Sequence, residues 1–299
     1  ISPALTLAKK ADIVHTTTYT AALPALIASR LKGKRSVITV HEVLGRDWHN
    51  MSGFSKISAA LHRMAEWFIL KMPFSRYVCV SESTKKNLLA LDIPERKVEV
   101  VHNAVDHETF DKKKYPDARK KTRKELGISN NKFLVAYYGR AGWSKGTEYL
   151  IKAMPLIREN IENVKFLLIL GKHPGDRYRY LKRLLKNYGD GDVILHQPVK
   201  YKILPKKLLG ADCIVVPSIS EGFGFCVAES NSLGIPVVAT NTTSIPEVIS
   251  GKHLLVPVRD SKAIAEAVQM SKKKRYMKTP LKRFSEENML KGYERVYHE

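Results

Sequence analysis

The sequence predicts an α/β protein with two parallel-sheet domains, and two observations support this class. Short apolar runs rich in β-branched residues alternate with helical stretches in two series, at 12–102 and 133–258, as buried parallel strands and their crossovers do. Between the series, residues 107–130 are charged and include Pro116 and Gly127, which is typical of a connector. A chain of 299 residues is long enough for two such domains.

The first series predicts four strands with helices between them. The expected strands are DIVHTT (12–17), SVITVH (36–41), RYVCVS (76–81) and KVEVVH (97–102), and the expected helices cover 20–31, 54–71 and 83–91. The stretch 56–77 has an apolar face with Trp67, Phe68, Ile69 and Met72. Packing of this face on the first sheet is favoured over contact with a membrane surface.

The second series predicts a longer sheet. Its strands are expected near 133–139, 164–170, 192–196, 213–218, 236–240 and 254–258, with helices between them. Two such layered domains predict a cleft between them.

The net charge of +22 implies acidic partners. Much of it lies in the runs 111–125 and 271–283, which are typical of solvated faces or linkers. Attraction to an anionic membrane surface is the next interpretation. Nucleic acid comes third, because the sequence contains no recognised nucleic-acid module. No apolar run approaches the length of a membrane span and no signal peptide is visible, so a cytoplasmic protein, at most peripheral at the inner face of the membrane, is expected.

Cysteine and aspartate patterns give no metal site. Cys79, Cys213 and Cys226 lie in or beside apolar runs without metal-binding spacing, which favours buried free thiols in a reducing compartment. Asp190 and Asp192 flank a glycine and could form a metal-binding pair. A turn between a helix and a strand is favoured for them instead.

Residues 218–247 carry the strongest functional pattern. Glu221 and Glu229 lie eight residues apart around Gly222-Phe223-Gly224, after one apolar strand and before another. Ligands of parallel sheets bind at the carboxyl ends of strands, and a phosphate can bind the first amides of a helix, here those of Gly224 and Phe225. The two carboxylates can accept hydrogen bonds from hydroxyl pairs. An ordinary turn with surface glutamates is the alternative.

A second segment, FLVAYYGRAGWSKG (133–146), places two cations at a strand end. The strand ends at Gly139, and Arg140 and Lys145 flank the turn that follows. A planar guanidinium and a mobile ammonium suit a diphosphate and could neutralise it without a metal. Basic residues are common at strand ends, so a structural role is the alternative.

Together, GR-x4-KG and EGFG-x4-E resemble the retaining glycosyltransferases of family 4 (group 1), which have the GT-B fold. The similarity extends over essentially the whole chain. It includes the segments 11–42, 78–84, 98–110, 244–249 and 284–299.

The resemblance implies a retaining transfer of sugar from a UDP-, GDP- or ADP-linked donor to a glycan or lipid-linked acceptor, with no metal and no cofactor. The implied catalytic residues are His41, Arg140, Lys145 and Glu221. The implied donor-binding residues are Gly139, Arg140, Lys145, Glu221, Gly222, Phe223, Gly224, Phe225, Glu229 and Glu247. His15, Tyr19 and Trp48 follow strand ends in the first domain and are expected to contact the acceptor.

The resemblance also implies domain limits: residues 1–106 with the closing helix 284–299, a linker 107–130, and a nucleotide-sugar domain 131–283. The first domain is expected to begin with further βα units, so the chain is expected to lack its N-terminal part. A nucleotide-sugar epimerase, a sugar phosphorylase, a non-catalytic module of the same fold that binds a nucleotide or a membrane surface, and a basic nucleic-acid binder stay open as alternatives.

Overall fold

The structure, a computed structural model, describes residues 2–298. The strands in chain order are β1 (Ile13–Thr17), β2 (Arg35–Val40), β3 (Arg76–Cys79), β4 (Val98–Val100), β5 (Phe133–Arg140), β6 (Val164–Gly171), β7 (Val193–His196), β8 (Cys213–Val216), β9 (Val237–Thr240), β10 (Gly251–Val256) and β11 (Met277–Thr279). The helices in chain order are α1 (Ser2–Lys9), α2 (Ala22–Leu31), α3 (Trp48–Ser52), α4 (Lys56–Lys71), α5 (Glu82–Leu89), α6 (Ala118–Glu125), α7 (Thr147–Asn160), α8 (Gly175–Tyr188), α9 (Leu204–Leu208), α10 (Phe225–Ser232), α11 (Ile245–Val248), α12 (Ser261–Lys272) and α13 (Glu286–His298).

The strands form two sheets within residues 2–298. One has the order β1-β2-β3-β4 and the other the order β11-β10-β9-β8-β5-β6-β7. All neighbours are parallel except β10 and β11, so the predicted parallel α/β class is confirmed. The last predicted strand begins earlier than expected, at Gly251 rather than 254. The edge strand β11 was not predicted, because its exposed residues form no apolar run.

The chain divides into two compact units. The first combines the chain up to Ala104 with the segment from Phe284 onward, and the second is Val105–Arg283. In the second unit, alternate residues of β5, β6 and β8 pack against α7, α8 and α12 in one large apolar core. Both sheets therefore bury apolar strands under helices, as parallel sheets require.

In the first unit, α13 completes one face of the sheet. Val296 of α13 packs against Val37 and Val78 from the strands. Arg35 donates to the carbonyl oxygen of Tyr297 (2.8 Å), which places a cation at the helix C-terminus, where the dipole favours it. The segment after Phe284 is thus part of the first unit's core.

The predicted packing of α4 is wrong for its two large aromatic residues. Leu70 is fully buried and Met72, just after the helix, is 5% exposed, but Trp67 and Phe68 are 51% and 58% exposed. The helix presents a narrow face of Ala59, Glu66 and Leu70 to the interior. A buried carboxylate in that face was not predicted, and it sets the rotation of the helix.

The segment predicted as a linker, 107–130, packs within the second unit. Arg123 of α6 is 1% exposed and pairs with Asp212, and it donates to the carbonyl oxygens of Ser129, Lys132 and Gly210, each at 3.0 Å. A buried guanidinium is tolerated only with partners of this kind. Arg123 therefore ties α6 to the loop before β8.

Two further sequence predictions concern spans and thiols. Among the described residues, no helix combines the length and apolarity needed to cross a membrane. Cys79 and Cys213 are buried free thiols, as predicted, whereas Cys226 is half-buried.

Replacing Arg123 by alanine is expected to lower the free energy of unfolding by about 3 kcal/mol or more, because Asp212 and several carbonyl groups lose a buried donor. Chemical unfolding followed by circular dichroism measures the change. The exposed Lys120 of the same helix provides the control, and its alanine variant is expected to stay within about 0.5 kcal/mol of the parent. Equal effects of the two variants would contradict the role given to Arg123.

Candidate active site

The loops after β5 and β8 meet at Gly146. This glycine has a φ of 57°, and a Cβ atom here would lie 2.0 Å from the carbonyl oxygen of Pro217. The carbonyl of Ser144 accepts from the N–H groups of Ile219 (2.7 Å) and Ser220 (3.3 Å). Only glycine permits this approach, so Gly146 fixes the position of the side chains carried by both loops.

Lys145 and Glu221, predicted from separate segments, form one ion pair. The ammonium group donates to the two carboxylate oxygens at 2.8 and 2.7 Å, and the Ser218 hydroxyl donates to the carboxylate at 2.7 Å. The side chains are 19% and 9% exposed. Burial is the largest single influence and acts to lower the pKa of Lys145, but the charge of Glu221, the Cys226 thiol and the hydrogen bonds to Glu221 together raise it. Lys145 is therefore charged at neutral pH, and the ion pair holds both side chains at fixed positions.

The backbone of Glu221 is held from the segment after β9. Its N–H group donates to the hydroxyl of Thr243 (3.0 Å), and the hydroxyl of Ser244 donates to its carbonyl oxygen (2.9 Å). The predicted donor residue Glu247 follows on α11, in the same segment. Three strand-end segments thus position one carboxylate.

The glycine-rich loop turns into α10 at Gly224. Gly224 has a φ of 97°, a left-handed conformation that favours glycine, and helix α10 begins at the next residue. Phe223 is buried, whereas Phe225 is 44% exposed, and their rings meet edge to face at 5.2 Å. The first amide groups of a helix lack partners inside it and favour an anion. The loop can therefore hold a phosphate beside the ion pair.

Glu229 lies on α10 and is 5% exposed. The hydroxyl of Tyr138 donates to its carboxylate at 2.9 Å, and Tyr201 forms a further hydrogen bond with it. Burial raises the pKa of Glu229 to about 7, although the bonds from the two tyrosines oppose the rise. Glu229 is thus a buried acceptor that changes protonation near neutral pH.

Arg140, the last residue of β5, is an exposed cation close to this site. Its positive charge lowers the pKa of Lys145, which is a smaller effect than that of Glu221. Gly171, at the end of β6, leaves room for it, since a Cβ atom there would lie 3.3 Å from the Cα atom of Arg140. The backbone carbonyl of Arg140 accepts from the Tyr137 hydroxyl (3.3 Å), but its guanidinium forms no hydrogen bond or ion pair within residues 2–298, so its charge is available to a ligand.

The structure therefore brings together most of the predicted donor residues of the second unit, on the two interlocked loops and α10. Sequence reasoning missed Ser218, Thr243, Tyr138 and Tyr201. Tyr138 precedes Gly139 directly, but nothing in the sequence shows where its phenol points. Tyr201 begins a short 3-10 helix between Lys200 and Lys202, and nothing in that stretch shows that its hydroxyl reaches Glu229.

The predicted site residues of the first unit form two groups, the histidines His15 and His41 and the aromatic pair Tyr19 and Trp48. His41 directly follows β2, and desolvation lowers its pKa, so it is neutral at pH 7. His15 lies within β1 and not after a strand end as predicted, and its two ring nitrogens form hydrogen bonds with the hydroxyls of Tyr297 (2.7 Å) and Thr39 (2.8 Å). The catalytic role of His41 and the acceptor role of His15 stay predictions.

Tyr19 and Trp48, both predicted acceptor contacts, come together in the first unit. Their rings meet edge to face at 6.0 Å, and Tyr19 donates to Glu66 at 3.1 Å. The indole N–H of Trp48 is buried and lacks a partner among the described residues. These two half-buried rings form a small aromatic surface, with the indole N–H enclosed behind it.

Asp192, one of the two aspartates in the turn before β7, is paired with Arg158. The carboxylate of Asp192 accepts from two nitrogens of Arg158, at 2.6 and 3.1 Å. Among residues 2–298, no group of three or more His, Cys, Asp or Glu side chains is arranged to hold a metal ion.

Two family models match the chain. The one described as glycosyl transferases group 1 matches residues 118–288, and the one described as glycosyltransferase family 4 matches residues 2–109. The first alone covers more than half of the chain.

Curated relatives agree with these models. An uncharacterized glycosyltransferase of Methanocaldococcus jannaschii is 32% identical over 202 residues, which are 67% of this chain and 50% of the relative. A D-inositol 3-phosphate glycosyltransferase of Paenarthrobacter aurescens is 31% identical over 156 residues, 52% of this chain and 37% of the relative. The chain spans about half or less of the length of these two relatives.

Solved structures show the fold. HepE of Anabaena, in complex with UDP and glucose, matches with a TM-score of 0.77 and 19% identity, over 98% of this chain and 76% of that chain. Sucrose-phosphate synthase from Thermosynechococcus elongatus matches with a TM-score of 0.73 and 22% identity, over 97% and 69%. The predicted GT-B fold class is thereby confirmed.

The raised pKa of Glu229 predicts a specific pH dependence of stability. Its pKa is about 7 when folded and near 4.5 when unfolded, so the stability present below pH 4.5 is lost as the pH rises through 7, by roughly 3 kcal/mol in total. The variant Glu229→Gln cannot ionise and should lack this loss. Chemical unfolding of parent and variant across pH 4–9 measures the difference. Parallel pH profiles would show that Glu229 is not the titrating group.

Proposed function

This chain belongs to the group 1 glycosyl transferases, and we propose that it transfers a sugar from a nucleotide-diphosphate sugar to an acceptor hydroxyl, with retention of configuration at the anomeric carbon. The observation that carries the proposal is the buried Lys145–Glu221 ion pair at the carboxyl ends of β5 and β8, with Glu229 on the helix that follows. A cation and two carboxylates at this edge of a parallel sheet suit a ligand with phosphates and hydroxyls.

The donor is bound by groups of matching charge. Arg140 and Lys145 hold the diphosphate, and the amides at the start of α10 hold one of its phosphates. Glu229 accepts hydrogen bonds from the ribose hydroxyls, and Glu247 lies near the nucleoside. UDP is the first nucleotide to test, because the Anabaena protein of similar fold was solved with UDP and with UDP-glucose.

The transfer occurs on one face of the sugar. The bond between the anomeric carbon and the β-phosphate oxygen breaks, and the acceptor oxygen forms its bond on the same face. The acceptor proton passes to the leaving phosphate oxygen. Arg140 and Lys145 stabilise the negative charge that develops there, while Glu221 accepts from the sugar hydroxyls and keeps Lys145 in place. No carboxylate acts as nucleophile and no metal or cofactor takes part.

The acceptor is proposed to be anionic or lipid-linked. The net charge of +22 supports this class, as do the D-inositol 3-phosphate glycosyltransferases among the relatives. A polysaccharide acceptor is the second choice. Tyr19 and Trp48, both half-buried, offer an aromatic surface of the kind on which sugar rings stack.

Calorimetric titration with UDP, GDP and ADP at moderate salt tests the donor site. One nucleotide should bind saturably, and Lys145→Ala and Glu229→Ala should each weaken it by tenfold or more, since each removes a charge-assisted hydrogen bond worth about 1.5–3 kcal/mol. Lys152→Ala and Glu266→Ala, at exposed positions of the same unit, are the matched controls. Equal affinity of all variants would contradict the site.

Product analysis then separates the alternatives. With the nucleotide sugar alone, an epimerase makes a new sugar isomer; with phosphate and a glycan, a phosphorylase releases a sugar phosphate. A non-catalytic module binds the nucleotide and produces neither, with or without candidate acceptors. A nucleic-acid binder loses affinity steeply with salt and is indifferent to Glu229→Ala.

Nucleotide binding is expected to release protons through Glu229, because only its ionised form accepts from both ribose hydroxyls. With a pKa of about 7, the release should be roughly half a proton at pH 7 and close to none at pH 9. Calorimetry in buffers of different ionisation enthalpy measures it. Glu229→Gln corrects for protons released by the nucleotide phosphate, and an unchanged release in that variant would contradict the assignment.

A further inference from the structure

Helix α4 carries its large apolar side chains on the outside. Ile57, Leu61, Met64 and Phe68, here called the α4 ridge, are 77%, 58%, 64% and 58% exposed. Their spacing of four, three and four residues places them along one side of the helix. The buried residues of α4 lie on the opposite side. An exposed apolar row of this size is unusual on a protein surface and marks an interaction site.

The helix cannot roll to bury the ridge, because Glu66 fixes its rotation. Glu66 is 2% exposed, and its carboxylate accepts from the N–H groups of Leu44 (3.0 Å) and Gly45 (2.6 Å) and from the hydroxyl of Tyr19 (3.1 Å). Turning the ridge inward would expose Leu70 and remove all three hydrogen bonds of this buried carboxylate. The outward ridge is therefore a built feature of the first unit.

The surroundings of the ridge are cationic and aromatic. Lys56 and Arg63 flank it on the same helix, and Arg46 lies in the turn before α3; all three are exposed. The only acidic residue of α4 is the buried Glu66. Trp67, 51% exposed, borders the ridge. Basic residues and tryptophan beside an apolar stripe are the composition of helices that lie in a membrane interface.

A groove beside the α4 ridge is lined by both apolar and basic side chains. It has a volume of about 460 Å³ and runs between α4 and the end of α5, with Met64, Trp67 and Leu91 among its apolar residues. Arg46 and Arg63 are its two cations, and Glu66, which is already hydrogen-bonded, is its one acidic residue. A guanidinium pair binds phosphate well, and the apolar wall suits the first carbons of an acyl chain.

We propose that the first unit docks on anionic phospholipid bilayers through α4, with the ridge in the boundary between headgroups and acyl chains and with Arg46 and Arg63 on lipid phosphates. A lipid surface is favoured over a protein partner because the ridge is a single convex row with cations beside it. A soft anionic surface accepts such a row without a matching groove. This role concerns the location of the protein and does not depend on the proposed transfer reaction.

Co-sedimentation with vesicles tests the apolar part of the proposal. The parent should bind vesicles made of equal parts of phosphatidylglycerol and phosphatidylcholine. It should bind vesicles of phosphatidylcholine alone much more weakly. Leu61→Asp combined with Phe68→Asp should lose about tenfold or more in vesicle affinity, because two inserted side chains become charged. Leu290→Asp, on α13 at a position 51% exposed, is the matched control and should bind as the parent does. Unchanged circular dichroism spectra and melting temperatures establish that the variants fold.

Charge reversal tests the phosphate contacts. Arg46→Glu and Arg63→Glu should each lower vesicle affinity on the order of fivefold, and the parent's affinity should fall as salt rises. Lys86→Glu, an exposed position on α5, is the control.

Three results would overturn the proposal. The first is that the parent protein does not bind anionic vesicles. The second is that the Leu290→Asp control loses as much vesicle affinity as the ridge variant does. The third is a ridge variant that keeps its vesicle affinity and instead turns an oligomer into a monomer, since the ridge would then be an interface between copies of this chain.

Discussion

The candidate site depends on one backbone contact, the approach of Gly146 to the carbonyl of Pro217. Because Gly146 has no side chain, the loops after β5 and β8 can approach closely enough to hydrogen-bond through the carbonyl of Ser144. This approach brings Lys145 to Glu221. Each loop alone would carry an isolated buried charge. Joined, they hold a compensated pair whose position is set by the sheet, before any ligand is present.

The charged groups of the site differ in how deeply they are buried and in whether they have a partner of opposite charge. The Lys145–Glu221 pair is fully compensated, Arg140 carries an unpaired positive charge, and Glu229 is held near its point of ionisation by burial and two tyrosines. A ligand with phosphates and hydroxyls would meet a fixed pair, a free cation and an acceptor that becomes more fully ionised when donors reach it. The arrangement separates charge recognition from hydroxyl recognition.

Much of this could be predicted from the sequence, because apolar β-branched runs specify buried parallel strands and polar residues at their ends specify the binding edge. Lys145 and Glu221 were predicted as site residues from separate motifs, but their pairing was not, since it depends on the contact at Gly146. Tyr138 sits in an apolar strand pattern, which does not show the direction of its hydroxyl. The rotation of α4 could not be predicted either, because amphipathic patterns assume that apolar residues face inward, and here the buried Glu66 reverses that rule.

The return of α13 to the first unit sets the order in which the protein can fold during synthesis. Val296 and the residues capped by Arg35 leave the ribosome after the entire second unit has been made. The second unit is continuous in sequence and can close its core while the chain is still growing. The first sheet is made earlier but stays open on one face until the segment after Phe284 arrives, so the part synthesised first is the part completed last. During that interval its apolar strands are exposed to pairing with other chains.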